Sequence, residues 1–165
     1  MYIMLNRQVI VSRCLGFEAC RYNGGKVESP EIDELRNIME LITVCPEVDV
    51  GLGVPRSPIN LVKHGDQVKV IQMGTRRDLT ESLFDYTDAT LTNLRDMDAF
   101  ILKAGSPSCG LGSAKFWDRE GLKIVELGSG VFACEAQKRF PNSVFLDEEE
   151  LSKMGVRGFL ELLRI

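Results

Sequence analysis

Short apolar, β-branched runs alternate along this chain with segments whose apolar residues recur at helical spacing. The runs predict strands over Gln8–Ser12, Leu41–Val44, Gln67–Gln72, Asp98–Lys103 and Ser143–Leu146. Helices are predicted from Ser29-Pro30, from the capping box Asp78-Leu-Thr-Glu81, over 130–140 and over most of 148–165. Because such alternation is typical of βαβ units, we predict an α/β protein. Its expected architecture is a single-domain, three-layer Rossmann-like fold over residues 1–165 with a mostly parallel sheet.

Some local predictions follow from turn and spacing signals. The first helix is expected to include Ile38 and Met39, which continue its apolar spacing. The helix beginning at Asp78 is expected to run for about 18 residues. The stretch 49–66 is punctuated by Gly and Pro and is predicted to be a loop, whereas a hairpin is expected around Asp118–Gly121.

Length and charge exclude several classes of protein. The 165 residues suit one domain, and 20 Lys and Arg against 24 Asp and Glu leave a net charge of −4. Duplex nucleic-acid binders usually carry a basic excess, which this chain lacks. No apolar stretch approaches the roughly 20 residues that span a bilayer, and Met1–Arg7 has no signal-peptide pattern. We expect a cytoplasmic protein with no membrane or duplex partner, and nothing in the sequence indicates its oligomeric state.

Three of the five cysteines, Cys14, Cys45 and Cys109, follow predicted strands. In a parallel sheet these positions meet at the carboxyl edge, where open α/β sheets bind ligands. Thiolates favour zinc, copper(I) or iron–sulfur clusters, and three protein ligands leave a coordination position open for catalysis. The sequence therefore predicts a metal site at the carboxyl ends of the strands. Cys20 is an alternative fourth ligand, but a spare loop thiol is the preferred interpretation. Cys134 is expected in the core.

Several polar residues near these cysteines are candidates for catalysis or binding. Glu47 is placed to act as a base, with a surface carboxylate as the alternative. Ser106 would supply a hydroxyl group, or would only cap the turn before Pro107. Arg21 and Tyr22 are expected either to face a substrate, with Arg21 holding a phosphate, or to form a structural turn in which Arg21 makes a salt bridge. Lys103 and Arg56 are weaker candidates of the same kind as Arg21.

Five motifs occur in a fixed order along the chain. They are Ser12-Arg-Cys-Leu-Gly16, Arg21-Tyr-Asn-Gly-Gly25, Val44-Cys-Pro-Glu47, Asp78-Leu-Thr80 and Ile101-Leu-Lys-Ala-Gly-Ser-Pro-Ser-Cys-Gly110. Together they resemble the thiouracil desulfidase family from about Val9 to Phe140. The chain departs from that family at Arg13, where a small residue is usual.

The resemblance implies a 4Fe–4S cluster that is held by Cys14, Cys45 and Cys109 and has one iron free of protein. It also implies acid–base or positioning roles for Glu47 and Ser106. The expected substrate-binding residues are Ser12, Arg21, Tyr22 and Ser108. The implied reaction removes sulfur from a thiolated uracil, as free base or nucleotide, with no net redox change and gives uracil and sulfide.

Two alternatives remain at this stage. One is a zinc protein that uses the same three cysteines with Cys20 or water. The other is a non-enzymatic nucleotide-binding module that uses the Gly-rich loops and tolerates loss of the cysteines.

Overall fold

Two four-stranded sheets organise the fold in the computed structural model, which describes residues 5–165. The sequence predicts no signal peptide in Met1–Arg7, and residues 1–4 of this segment lie outside the described residues. The elements in chain order are β1 (Leu5–Ser12), α1 (Pro30–Leu35), β2 (Met39–Val44), α2 (Pro46–Asp49), β3 (Ile59–His64), β4 (Gln67–Gln72), α3 (Thr80–Asn93), β5 (Ala99–Leu102), β6 (Ala114–Trp117), β7 (Ile124–Gly128), α4 (Val131–Arg139), β8 (Val144–Asp147) and α5 (Glu148–Leu162).

The first sheet is parallel throughout, with the strand order β2-β1-β5-β8. Successive side chains of β1 point to opposite faces, as the pleat of a strand requires. Val9 and Val11 pack in a core with residues of α1 and α5. Ile10 packs on the other face in a core with residues of α3 and α4. The sheet therefore has helices on both faces, and the predicted three-layer α/β fold with a mostly parallel sheet is confirmed.

Strand β1 lies between β2 and β5, so the chain leaves β1 in one direction and later returns to its other side. This reversal of strand order opens a crevice at the carboxyl ends of the strands, because the loops diverge there. The loops that follow β1, β2 and β5 all lie at this edge. They are the loops that carry Cys14, Cys45 and Cys109.

The second sheet is mixed, with the order β4-β3-β6-β7, and the sequence did not predict it as a separate sheet. The expected hairpin around Asp118–Gly121 is present between β6 and β7. The prediction that 49–66 is entirely loop is wrong, because β3 occupies its last part and pairs along its whole length with β4. Pro58 and Gly65 bound this strand and do not interrupt it.

The first helix is shorter than its apolar spacing indicated. It begins as predicted at Pro30 with Ser29 as the N-cap, but it ends at Leu35. Met39 instead begins β2 and pairs with Leu5 of β1, while the backbone carbonyl of Ile38 accepts a hydrogen bond from the Leu5 N–H at 2.7 Å. Pairing with the sheet thus overrides the helical periodicity.

Helix α3 spans 14 residues, fewer than the expected length of about 18. The predicted capping box does not form, because the Asp78 carboxylate accepts the N–H of Thr80 at 3.0 Å and also the Thr80 hydroxyl. The helix ends where Leu94 adopts an extended backbone. Among the helices of residues 5–165, none has the length and apolar character to cross a bilayer.

Phe100 of β5 offers a test of the core. Its ring is fully buried, stacks on Phe145 at 4.7 Å between centroids and contacts Phe140 at 5.3 Å. We expect Phe100→Ala to lower the free energy of unfolding by about 3–5 kcal/mol, because it leaves a cavity between the sheet and helices α3 and α4. Denaturant unfolding measures this, with Phe84→Ala at a 40% exposed site as the control, expected to stay within about 0.5 kcal/mol. Equal effects of the two variants would contradict this account of the core.

Candidate functional site

One cleft of about 610 Å³, its open mouth included, lies at the carboxyl edge of the parallel sheet. All nine residues that the sequence predicts to have catalytic, substrate-binding or metal-binding roles line it. They are Ser12, Cys14, Arg21, Tyr22, Cys45, Glu47, Ser106, Ser108 and Cys109. Cys20, Arg56 and Lys103 also line the cleft, whereas Cys134 lies on α4 and is not part of its wall. The structure thus brings the candidates together, and their individual roles stay predictions.

Each of the three cysteines is positioned by the end of a strand. Cys14 lies two residues after β1, and Cys45 lies between β2 and the N-terminus of α2. The backbone N–H of Arg13 donates to the carbonyl of Val44 at 2.8 Å and joins these two loops. Cys109 lies in the loop after β5 and is almost fully buried.

The Cys109 loop is packed tightly against the start of α4. The backbone N–H groups of Val131 and Phe132 donate to carbonyls of Pro107 and Ser108 at 3.1 and 2.9 Å. This approach requires glycine at position 130, because a Cβ there would lie 2.5 Å from the backbone of Ser108. Sequence reasoning assigned Gly130 only to a helix start and missed this packing role.

Burial shapes the acidity of the cysteines in the cleft. It raises the pKa of Cys14 to about 11 and that of Cys20 to about 12, and nearby Cys45 adds to both shifts. Burial also raises the pKa of Cys109 far above the usual range, against a hydrogen bond from Ser12 that lowers it. Such thiols ionise near neutral pH only beside added positive charge, so this donor set suits a bound metal centre.

The spacing of the donors bears on the kind of metal centre. Across residues 5–165, no three His, Cys, Asp or Glu side chains lie close enough to hold one metal ion together. A single zinc ion needs its sulfur ligands at about 2.3 Å. In a 4Fe–4S cluster, each cysteine binds a different iron, so the thiols surround the cluster without meeting at one point. Cys14, Cys45 and Cys109 lie on three separate loops and line the same cleft, and thiolates are the donors that an iron–sulfur cluster takes.

Glu47 is held in one orientation at the wall of the cleft. It is buried, and its Oε2 accepts a hydrogen bond from Arg56 Nε at 2.8 Å. Its Oε1 accepts the hydroxyl of Ser108 at 3.4 Å. Arg56 is itself fixed, because its Nη1 donates to the carbonyls of Cys20 and Gly53 at 3.0 and 3.2 Å. Glu47 is therefore an internal carboxylate with a fixed direction, not a solvated surface group.

Ser106 and Ser12 make hydrogen bonds that brace the cysteine loops. The Oγ of Ser106 accepts the N–H groups of Ser108 and Cys109 at 3.2 and 3.0 Å, so it caps the turn. Because this oxygen already accepts twice, its hydroxyl proton is available to a third partner in the cleft. The Oγ of Ser12 accepts the N–H of Lys103 at 2.9 Å.

The cations of the cleft differ in their partners. Lys103 forms an ion pair with Glu148, and Arg56 forms one with Glu47. In the part of the chain that the structure describes, Arg21 has no carboxylate within ion-pair distance. The salt bridge of the structural-turn alternative is therefore not formed there. Tyr22 next to it is 45% exposed at the cleft mouth.

Comparison with known proteins identifies the family. Residues 9–149 match the sequence profile of the 2-thiouracil desulfurase family. The chain belongs to this family. The uncharacterized protein YbbK of Bacillus subtilis (strain 168) is 35% identical over 135 residues, which cover 76% of this chain and 87% of YbbK. A solved structure, the 4Fe-4S-dependent thiouracil desulfidase TudS, is similar with a TM-score of 0.70 and 25% identity, over 94% of this chain and 99% of TudS.

Family membership confirms the resemblance drawn from the five motifs. In this 2-thiouracil desulfurase family member, the sequence indicates only a minor phosphate-binding role for Arg56. The structure shows that its guanidinium is the ion-pair partner of Glu47. No periodicity links the two positions, which lie nine residues apart across a Gly- and Pro-rich loop. Glu47 and Arg56 come into contact only because the loop between them folds back on itself.

The Glu47–Arg56 pair gives a prediction about stability. The exposed fractions of these side chains are only 11% and 5%. We expect Arg56→Gln to lower the free energy of unfolding of the metal-free protein by about 3–5 kcal/mol, because Glu47 then stays buried without its partner. The matched control is Arg157→Gln, which removes an exposed pair with Glu161 and should cost at most about 0.5 kcal/mol. Urea unfolding compares them, and a loss no larger for Arg56→Gln than for the control would refute the prediction.

Proposed function

We propose that this protein is a 4Fe–4S-dependent desulfidase that converts a thiolated uracil, as free base or nucleotide, into uracil and sulfide. The observation that carries the proposal is the cleft in which cysteines from three strand ends meet a fixed, buried carboxylate. Family membership supports a desulfidase, and the similarity to TudS supports the cluster. We propose further that residues 1–165 act as one unit.

The proposed reaction balances without any electron donor or acceptor. Water adds to the ring carbon that carries sulfur, and the C–S bond breaks. The products are uracil and hydrogen sulfide: the oxygen of water stays on the ring carbon, and both protons of water end on the departing sulfur. This chemistry needs a proton carrier and a group that stabilises the leaving sulfur, and it needs no redox partner.

Cys14, Cys45 and Cys109 are the proposed ligands, each on one iron. When bound, the cluster supplies an iron without a protein ligand, a Lewis acid with affinity for the sulfur of the substrate. Cys20 is a spare thiol in this proposal. Its backbone carbonyl accepts a hydrogen bond from the guanidinium of Arg56 and so helps to fix the position of Glu47.

The remaining residues act on water and substrate. Glu47 orients a water molecule and takes its proton, since the carboxylate is aimed by Arg56 and Ser108. Ser106 donates a hydrogen bond from its hydroxyl group to the substrate and keeps its proton. Arg21 attracts the anionic part of the substrate, which is the phosphate if the substrate is a nucleotide. Ser12, Tyr22 and Ser108 complete the wall against which the base lies.

Sulfide release tests the activity directly. Anaerobically reconstituted protein should release one sulfide for each molecule of product formed from at least one of 2-thiouracil, 4-thiouracil and 4-thiouridine monophosphate, with no reductant or oxidant added. The product is uracil from either free base and uridine monophosphate from the nucleotide. Methylene blue detection of sulfide and chromatography of the product give the two numbers. A protein with a full cluster that releases no sulfide from any of them would rule out this substrate class. Nucleotide binding that persists after loss of the cysteines would favour the non-enzymatic alternative.

Two substitutions separate metal binding from chemistry. Cys109→Ala should abolish iron uptake, because it removes one of the three ligands. Glu47→Gln should keep the cluster absorbance and lower the turnover rate by about 10²-fold or more, because the amide cannot accept a proton. Cys134→Ala, at the half-buried cysteine of α4, is the control and should keep both. A fully active Glu47→Gln enzyme would remove Glu47 from the mechanism.

A further inference from the structure

An ion pair between Arg13 and Asp49 also lies beside the cysteines and has no role in the proposed chemistry. The guanidinium of Arg13 donates from Nη1 to Asp49 Oδ1 and from Nη2 to Asp49 Oδ2, both at 2.9 Å. The hydroxyl of Tyr86 on α3 also donates to Asp49 Oδ2, at 2.7 Å. The two side chains of the ion pair are only 21% and 25% exposed. Asp49 is thus held by a two-pronged contact and by a third donor from another element.

The three residues connect the loops of two proposed cluster ligands. Arg13 directly precedes Cys14, and its backbone N–H already binds the end of β2. Asp49 ends the short helix α2, which begins after Cys45, and its Oδ2 lies 3.4 Å from the backbone nitrogen of Cys45, which donates to it. The ion pair therefore joins the neighbour of one cysteine to the backbone of the other. Tyr86 anchors this junction to α3.

We propose that Arg13, Asp49 and Tyr86 form a clamp that fixes the separation of the Cys14 and Cys45 loops and slows the loss of the cluster. The inference rests on the proposed function, since it assumes that both cysteines bind iron. The three are positioning residues, because they act through the ligand loops. A bidentate Arg–carboxylate pair fixes both distance and angle, which a point charge does not. Partners that orient metal ligands typically change metal affinity 10–100-fold when removed.

The test follows cluster loss and not turnover. Reconstituted wild-type protein and the variants Arg13→Gln, Asp49→Asn and Tyr86→Phe are mixed anaerobically with a ferrous chelator, and the decay of the cluster absorbance is recorded. We expect Arg13→Gln and Asp49→Asn each to shorten the half-life of the cluster about tenfold or more. Tyr86→Phe, which keeps the ion pair, should have a smaller effect in the same direction.

Two further variants distinguish a clamp from general destabilisation. The double variant Arg13→Gln/Asp49→Asn should lose the cluster more slowly than the product of the two single effects predicts, because both changes break the same Arg13–Asp49 contact. Arg13→Lys keeps the charge without the two-pronged geometry, so its half-life should lie between those of the wild type and Arg13→Gln. The control is Arg139→Gln, which removes the exposed pair with Asp88 between α4 and α3, away from the cleft, and should leave the half-life unchanged.

The outcomes separate this inference from the function on which it rests. Equal half-lives in the wild type, Arg13→Gln and Asp49→Asn would overturn the clamp and leave the proposed desulfidase intact. Strictly multiplicative effects in the double variant, or an equal loss in the Arg139→Gln control, would also overturn it. A wild-type protein that takes up no iron under reconstitution would overturn the clamp and the proposed function together.

Discussion

The parallel pairing of β1 with both β2 and β5 sets the position of everything else in the site. Because β1 is the point where strand order reverses, the loops after these strands diverge and leave a crevice. The chain needs no long connection to bring its cysteines together, since each follows the carboxyl end of its own strand. The apolar packing on both faces of the sheet holds the three strands in register and so fixes the loops that follow them. The packing that stabilises the sheet therefore also determines the geometry of the site.

The crevice contains several ionisable groups whose charged forms are disfavoured by burial. Burial raises the pKa of Cys14 and Cys109, so in the metal-free protein these groups are neutral thiols at physiological pH. The carboxylate of Glu47 is stabilised differently, by the guanidinium of Arg56. Glu47 thus has its counter-ion within the protein, whereas Cys14 and Cys109 would ionise near neutral pH only if added positive charge lowered their pKa. This division is consistent with separate tasks, metal binding for the cysteines and proton transfer for Glu47.

The sequence predicted the parts of the site that depend on strand ends and missed those that depend on loop closure. Cys14, Cys45 and Cys109 were found because each follows an apolar run, and the position after a run is a local signal. The pairing of Glu47 with Arg56 and that of Arg13 with Asp49 carry no periodic signal, because they arise when irregular loops fold back. Strand β3 was missed for a related reason: Pro and Gly around it indicate turns, but pairing with β4 decides the segment between them.

The central claim is that Cys14, Cys45 and Cys109 hold one iron–sulfur cluster. The metal content of the purified protein tests this claim most directly. Protein purified and reconstituted without oxygen should contain about four irons and four acid-labile sulfides per chain, with broad absorbance near about 400 nm. A colourless protein with about one zinc per chain, unable to take up iron under the same conditions, would contradict the account and favour a zinc protein.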